Sequence, residues 1–83
     1  MKIITIKGGQ YVTLTQAAEC YEVEVAWVRE VYDYGLLGVG ELFEEEPAIE
    51  AGMLDRLAEI QRLHTQQGVN LPGIAIILDL LGR

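Results

Sequence analysis

The sequence predicts a mainly α domain of about four helices with a small β hairpin and a wing, in a winged helix-turn-helix arrangement. Three observations predict it. Residues 12–37 divide into two short apolar-striped stretches, joined by a tight turn and closed by Gly35-Leu36-Leu37. Residues 48–67 place Ile49, Met53, Leu57 and Ile60, then Leu63 or His64, at the spacing of one helical face. Gly68 and Asn70-Leu71-Pro72 then give a stop signal followed by a start signal for a last helix.

Taken in order, residues 2–7 are rich in isoleucine and threonine and end at Gly8-Gly9, a turn signal; residues 10–13 offer a second extended stretch. A hairpin or an edge strand is expected there. Thr13 or Thr15 can cap a first helix running to about Cys20, with Leu14, Ala17 and Ala18 as its buried stripe. Tyr21-Glu22 forms the turn. A second helix runs from Glu24 to about Tyr34, with Val25, Val28 and either Val31 or Tyr32 facing the core, and Gly35 supplies the positive φ that ends it.

Residues 36–43 hold two glycines among apolar residues and suit a short ribbon or wing. Glu44-Glu45-Glu46-Pro47 breaks that ribbon, and Pro47 opens a third helix over about 48–67, with Gly52 weakening its first turns by about 1 kcal/mol relative to alanine. Asn70 caps the fourth helix, Pro72 is tolerated in its first turn, and Ile74, Ile77, Leu78 and Leu81 pack inward. The organisation expected is one domain over 1–83: an N-terminal strand or hairpin (1–12), the helix-turn-helix (13–37), a wing (38–47) and two C-terminal helices (48–83).

Composition narrows the function. A chain of 83 residues buries only roughly 60% of the surface its unfolded form exposes. The 51% hydrophobic content argues against disorder. Thirteen acidic residues against six basic ones give a net charge of −7, which opposes nucleic acid and anionic membranes and favours cationic partners. A lone cysteine, Cys20, leaves no internal disulfide. The apolar stretches at residues 1–6 and 73–78 are too short for a signal or a membrane span. A cytoplasmic protein is expected. No Ser-His-Asp or Cys-His arrangement and no phosphate-cradling glycine loop is present, and neighbouring carboxylates among thirteen are no sign of acid–base catalysis. The reading is therefore not an enzyme. His64 and Cys20, far apart in sequence, make no zinc site, and no cofactor is expected.

Residues 12–37, through Leu14, Ala18, Val23, Val28, Arg29 and Gly35-Leu36-Leu37, resemble the N-terminal half of a MerR-type winged helix-turn-helix domain. The tail, Gly68-Val69-Asn70-Leu71-Pro72-Gly73-Ile74-Ala75-Ile76-Ile77-Leu78, resembles that shared by HspR-type heat-shock repressors and CbpM-type chaperone modulators. The Leu71-Pro72-Gly73-Ile74-Ala75 core, preceded by Arg62-Leu63-His64, is most similar to CbpM. The resemblance spans about 12–81. It implies an adaptor that binds the J-domain of a DnaJ- or CbpA-like co-chaperone and stops it from stimulating a DnaK-type chaperone.

The sequence departs from the DNA-binding members of that group. They carry a basic residue near the start of the second helix and an Arg-Tyr-Tyr-type run; here Ala26 stands first, and Arg29 is followed by Glu30-Val31. Their basic wing signature is replaced by Gly40-Glu41-Leu42-Phe43-Glu44-Glu45-Glu46. The long dimerisation helix usual among them is not expected after Arg83, so a monomer, or a weak homodimer through residues 74–81, is expected.

J-domain docking surfaces are typically basic, so the expected interaction residues are Glu22, Glu24, Glu30 and Asp33, with Trp27 as a hydrophobic anchor between them. The plainer alternatives are that the glutamates only solvate the outer helix face and that Trp27 is core. Glu44-Glu45-Glu46 reads first as a solvated loop, and Arg29 as the partner of a nearby carboxylate. The runner-up function is a compact MerR- or HspR-like DNA-binding transcriptional regulator, which needs a basic patch assembled from Lys2, Lys7, Arg29, Arg56 and Arg62.

Overall fold

The computed structural model describes residues 2–82; Met1, in the expected N-terminal strand, and Arg83 lie outside them. Four helices stand on a four-stranded antiparallel sheet. The order is β1 (Ile4–Ile6), β2 (Gly9–Thr13), α1 (Leu14–Tyr21), α2 (Val25–Asp33), β3 (Glu41–Phe43), β4 (Glu46–Glu50), α3 (Met53–Gln67) and α4 (Leu71–Leu80). The sheet order is β1-β2-β4-β3, so the chain leaves β2, builds both short helices and β3, and returns to lay β4 against β2. The return pairs Tyr11 with Glu50, Val12 with Ile49 and Thr13 with Ala48.

Local chemistry explains most boundaries. Thr13 ends β2 and caps α1, its Oγ1 accepting from the Gln16 N–H at 3.1 Å. Asn70 does the same for α4, its Oδ1 accepting from the Gly73 N–H at 3.0 Å, with Pro72 in the first turn where no N–H is needed. Gly35 and Gly68 take the positive φ expected where α2 and α3 end. The core is one cluster under the sheet and helices. Val12, Leu14, Val28, Val31, Leu37, Ile49, Leu57, Ile60, Ile74 and Leu78 are its largest fully buried members, with Ala17 and Ala18 filling the close approach of α1.

The structure corrects several expectations. Ala48 and Ile49 do not begin a helix; they are buried in β4, and α3 starts only at Met53, with Gly52 as its cap residue rather than an interior one. The hairpin that ends in β4 therefore runs to Glu50, past the expected wing boundary at 47. Pro47 sits within β4 opposite Leu42. That position tolerates proline. The Phe43–Glu46 pair flanking a two-residue turn exchanges the hydrogen bonds, the next pair does not, and pairing with β2 begins only at Ala48. Gly40 enters the hairpin where no side chain fits: a Cβ there would lie 2.5 Å from the Ala48 carbonyl oxygen.

Val31 rather than Tyr32 takes the buried place on α2, and Val25, expected inward, is 43% exposed because it opens the helix at the surface. Leu81, also expected inward, follows the end of α4 and is 60% exposed, while Leu71 at the helix start is buried in its stead. Leu36 and Leu37 join the core instead of a ribbon. On α3, Leu63 is half-buried and His64 exposed. No helix among the described residues is long and apolar enough to cross a membrane.

Candidate protein-interaction site

A concavity opens beside the turn between α1 and α2. Glu22 closes α1 in the left-handed conformation (φ 55°), its N–H directed at the carbonyls of Ala18 and Glu19, and the Val23 N–H returns to Ala18 at 3.0 Å. Half-buried Val23 is thereby tucked inward. Glu24 follows as the cap residue of α2: its carbonyl accepts from the Trp27 and Val28 N–H groups, while its side chain makes no capping bond and stays exposed.

The facing wall comes from α3. The Tyr21 hydroxyl donates to the Leu54 carbonyl at 3.0 Å, and Gln61 Nε2 donates to the Tyr21 carbonyl at 3.4 Å, fixing the end of α1 against α3. Partial burial raises the Tyr21 pKa, with smaller contributions from Cys20 and Asp55, so the phenol stays a protonated donor. Trp27 in the first turn of α2 stacks on His64, with ring centroids 5.5 Å apart and planes inclined by 29°. His64 Nδ1 lies 3.2 Å from the Val69 carbonyl and donates to it, which holds the imidazole plane for the stack. The Trp27 indole N–H is buried without a hydrogen-bond partner among the described residues.

Between these walls lies a groove of about 730 Å³. Ala18, Val23, Val25 and Trp27 give it an apolar lining, Glu19, Glu22 and Glu24 an acidic one, and neither lysine nor arginine lines it.

Of the residues singled out in the sequence, Glu22, Glu24 and Trp27 meet at this groove. Glu30 and Asp33 are exposed farther along α2 and do not line it. Trp27 is neither plain core nor free surface: it is half-buried, packing inward on the core and outward on the groove. Glu19, His64 and Thr65 also line the groove and were not singled out in the sequence. Two of them come from α3, which no local pattern connects to the α1–α2 turn.

The other charges are distributed differently. No ion pair joins Arg29 to a neighbouring carboxylate among the described residues, contrary to expectation. Glu44 and Glu45 form a two-residue turn, but Glu46 belongs to β4, and its carboxylate accepts from both the backbone N–H and the hydroxyl of Thr15 at the start of α1. Lys7 pairs with Glu41 at 2.9 Å, and Arg56 donates to the Leu36 carbonyl at 3.4 Å, so two of the five cations of the expected basic patch are already engaged. No group of three or more His, Cys, Asp or Glu able to hold a metal ion occurs among the described residues, and Cys20 is exposed on α1.

Compared with known proteins, residues 12–83 match the family described as MerR HTH family regulatory protein. No curated protein and no solved structure matches the chain. The match runs from the last residues of β2 through both short helices, the second hairpin and α3 to the end of α4, and the chain therefore belongs to the MerR HTH regulatory family.

Proposed function

We propose that this member of the family is a protein-binding regulator rather than a DNA reader, and that its partner is the J-domain of a DnaJ- or CbpA-like co-chaperone, whose stimulation of a DnaK-type chaperone it blocks. In this reading α1 and α2 are the helix-turn-helix and the β3–β4 hairpin is its wing. One observation carries it: the surface around α2 exposes Glu22, Glu24, Glu30 and Asp33 against a single arginine, Arg29. A surface of that sign repels phosphates, whose neutralisation supplies most of the affinity of DNA-binding modules, and steers a basic protein face toward it. The resemblance of residues 68–78 to chaperone modulators supplies the identity of the partner. The acidic β3–β4 turn, where a DNA-reading wing carries cations, points the same way.

The test is calorimetric titration of the protein into an isolated J-domain at low and moderate salt. Saturable one-to-one binding that weakens with salt and is lost in Glu22→Lys, Glu24→Lys is the expected result. No heat at either salt removes this reading, and a gel-shift assay with promoter DNA then tests the regulator of transcription in its place.

A further inference from the structure

We propose that the groove between the α1–α2 turn and α3 is the seat of a basic amphipathic helix, which sets apolar side chains against its apolar lining and places lysine or arginine against Glu19, Glu22 and Glu24. The inference rests on the protein-binding reading and narrows it: contact centres on the groove, and the outer face of α2 at Glu30 and Asp33 is peripheral.

Three observations support this occupant. The groove, at about 730 Å³, lies within the range of roughly 300–1,000 Å³ typical of sites that enclose a ligand, and an apolar lining between helices is the kind of surface that takes the apolar face of an amphipathic helix. Its lining offers apolar surface that the fold leaves open: Val25 is 43% exposed, and the Trp27–His64 stack adds an aromatic surface. A fixed aromatic in an apolar depression ringed by charge is the usual composition of a binding hot spot.

The charges are of one sign: Glu19, Glu22 and Glu24 line the groove. An incoming cation therefore meets no lysine or arginine, and the net charge of −7 adds to its capture. A second copy of this chain does not fit. The exposed apolar residues of α4, Ile76 and Leu80 with Leu81 just beyond, are accompanied by Asp79 and by no cation within α4, so that face supplies no complementary charge.

Trp27 is the single tryptophan and forms part of the groove, so its fluorescence reports occupancy directly. The probe is a synthetic helical peptide with leucines at i, i+3, i+4 and i+7 and lysines elsewhere; its control carries glutamates in place of the lysines. The lysine peptide is expected to give a saturable change in Trp27 emission that weakens with salt, and the glutamate peptide none. Val25→Lys, Thr65→Lys, both at exposed groove positions, is expected to weaken binding by at least about tenfold, whereas Glu30→Lys, Asp33→Lys changes it by less than about threefold. Glu22→Gln, Glu24→Gln provides a second variant with no added bulk, and circular dichroism checks the fold of each. Equal response to both peptides, no response, or equal binding by the groove variants overturns the proposal. The same variants titrated into the J-domain separate the two readings. J-domain binding without any effect of the groove variants sinks the groove and keeps the partner. Peptide capture without J-domain binding keeps the groove and sinks the partner.

Discussion

The molecule turns its chain twice by the same device and from opposite materials. β1 and β2 are joined by Lys7-Gly8, and β3 and β4 by Glu44-Glu45; in both turns the two central residues have positive φ, 50° and 83° in the first, 51° and 66° in the second. That geometry matches the right-handed twist of paired strands and favours Asn-Gly or similar pairs. The first turn has glycine at one of its two positions. The second places a glutamate at each, where a side chain costs about 1 kcal/mol per residue. The first hairpin is thus specified by its own turn, and the second is held by what it touches: Glu46 is bonded to the N-terminus of α1 through Thr15. Negative charge at the second turn is retained against local conformational preference, and tertiary contacts supply the difference.

Four experiments test that contrast, from the largest effect to the smallest. Glu44→Asn, Glu45→Gly relieves both left-handed glutamates and is expected to raise stability in urea unfolding by about 2 kcal/mol; no gain would mean that the turn is not strained. Glu46→Ala removes a carboxylate bonded at a helix N-terminus and is expected to lower stability by about 1.5 kcal/mol, with faster amide exchange in β3 if the latch is what holds the second hairpin. Gly8→Ala forces a side chain into φ 83° and is expected to cost about 1 kcal/mol; a neutral result would show that the first turn, too, is dictated from outside.

Lys7→Met is expected to leave the melting temperature at neutral pH almost unchanged, because the Lys7 side chain is solvent-exposed and its pairing is screened by water. Its sign is still testable. The bond to Glu41, with the charge of Glu41, raises the Lys7 pKa, so the small stabilisation is complete below the ordinary lysine range and disappears as pH rises through the raised value. Wild type and Lys7→Met should therefore converge as pH rises into the strongly alkaline range; a difference that grows there would contradict the pairing.

What could be read in the sequence was whatever neighbours along the chain decide. Thr13 with Leu14, Ala17 and Ala18 fixed α1, and Asn70 with Pro72 fixed α4, because caps and stripes act within a turn or two. β4 was not legible. Ile49 falls in phase with Met53, Leu57 and Ile60, so a helical stripe extends backward through it with no break in period. Its strand conformation comes from pairing with Val12, a partner far away in sequence. The site divides along the same line. Glu22, Glu24 and Trp27 belong to one local turn and could be grouped from the sequence; His64 and Thr65 reach the groove only because α3 packs across the end of α1. Val25 was misread because the first residue of a helix can satisfy the apolar spacing and still lie at the rim.

The strand order has a practical consequence for anyone who wishes to move this surface elsewhere. β2 leads directly into α1 and β4 leads toward α3, and the two strands lie side by side. One wall of the groove is therefore delivered on each side of a single long-range pairing, and closing that loop is what brings them face to face. A peptide spanning only residues 12–37 would retain the carboxylates and the tryptophan but have nothing opposite them. The groove cannot be grafted as a helical hairpin. It is a property of the closed sheet, and it is lost when β2 and β4 separate, even if every helix survives.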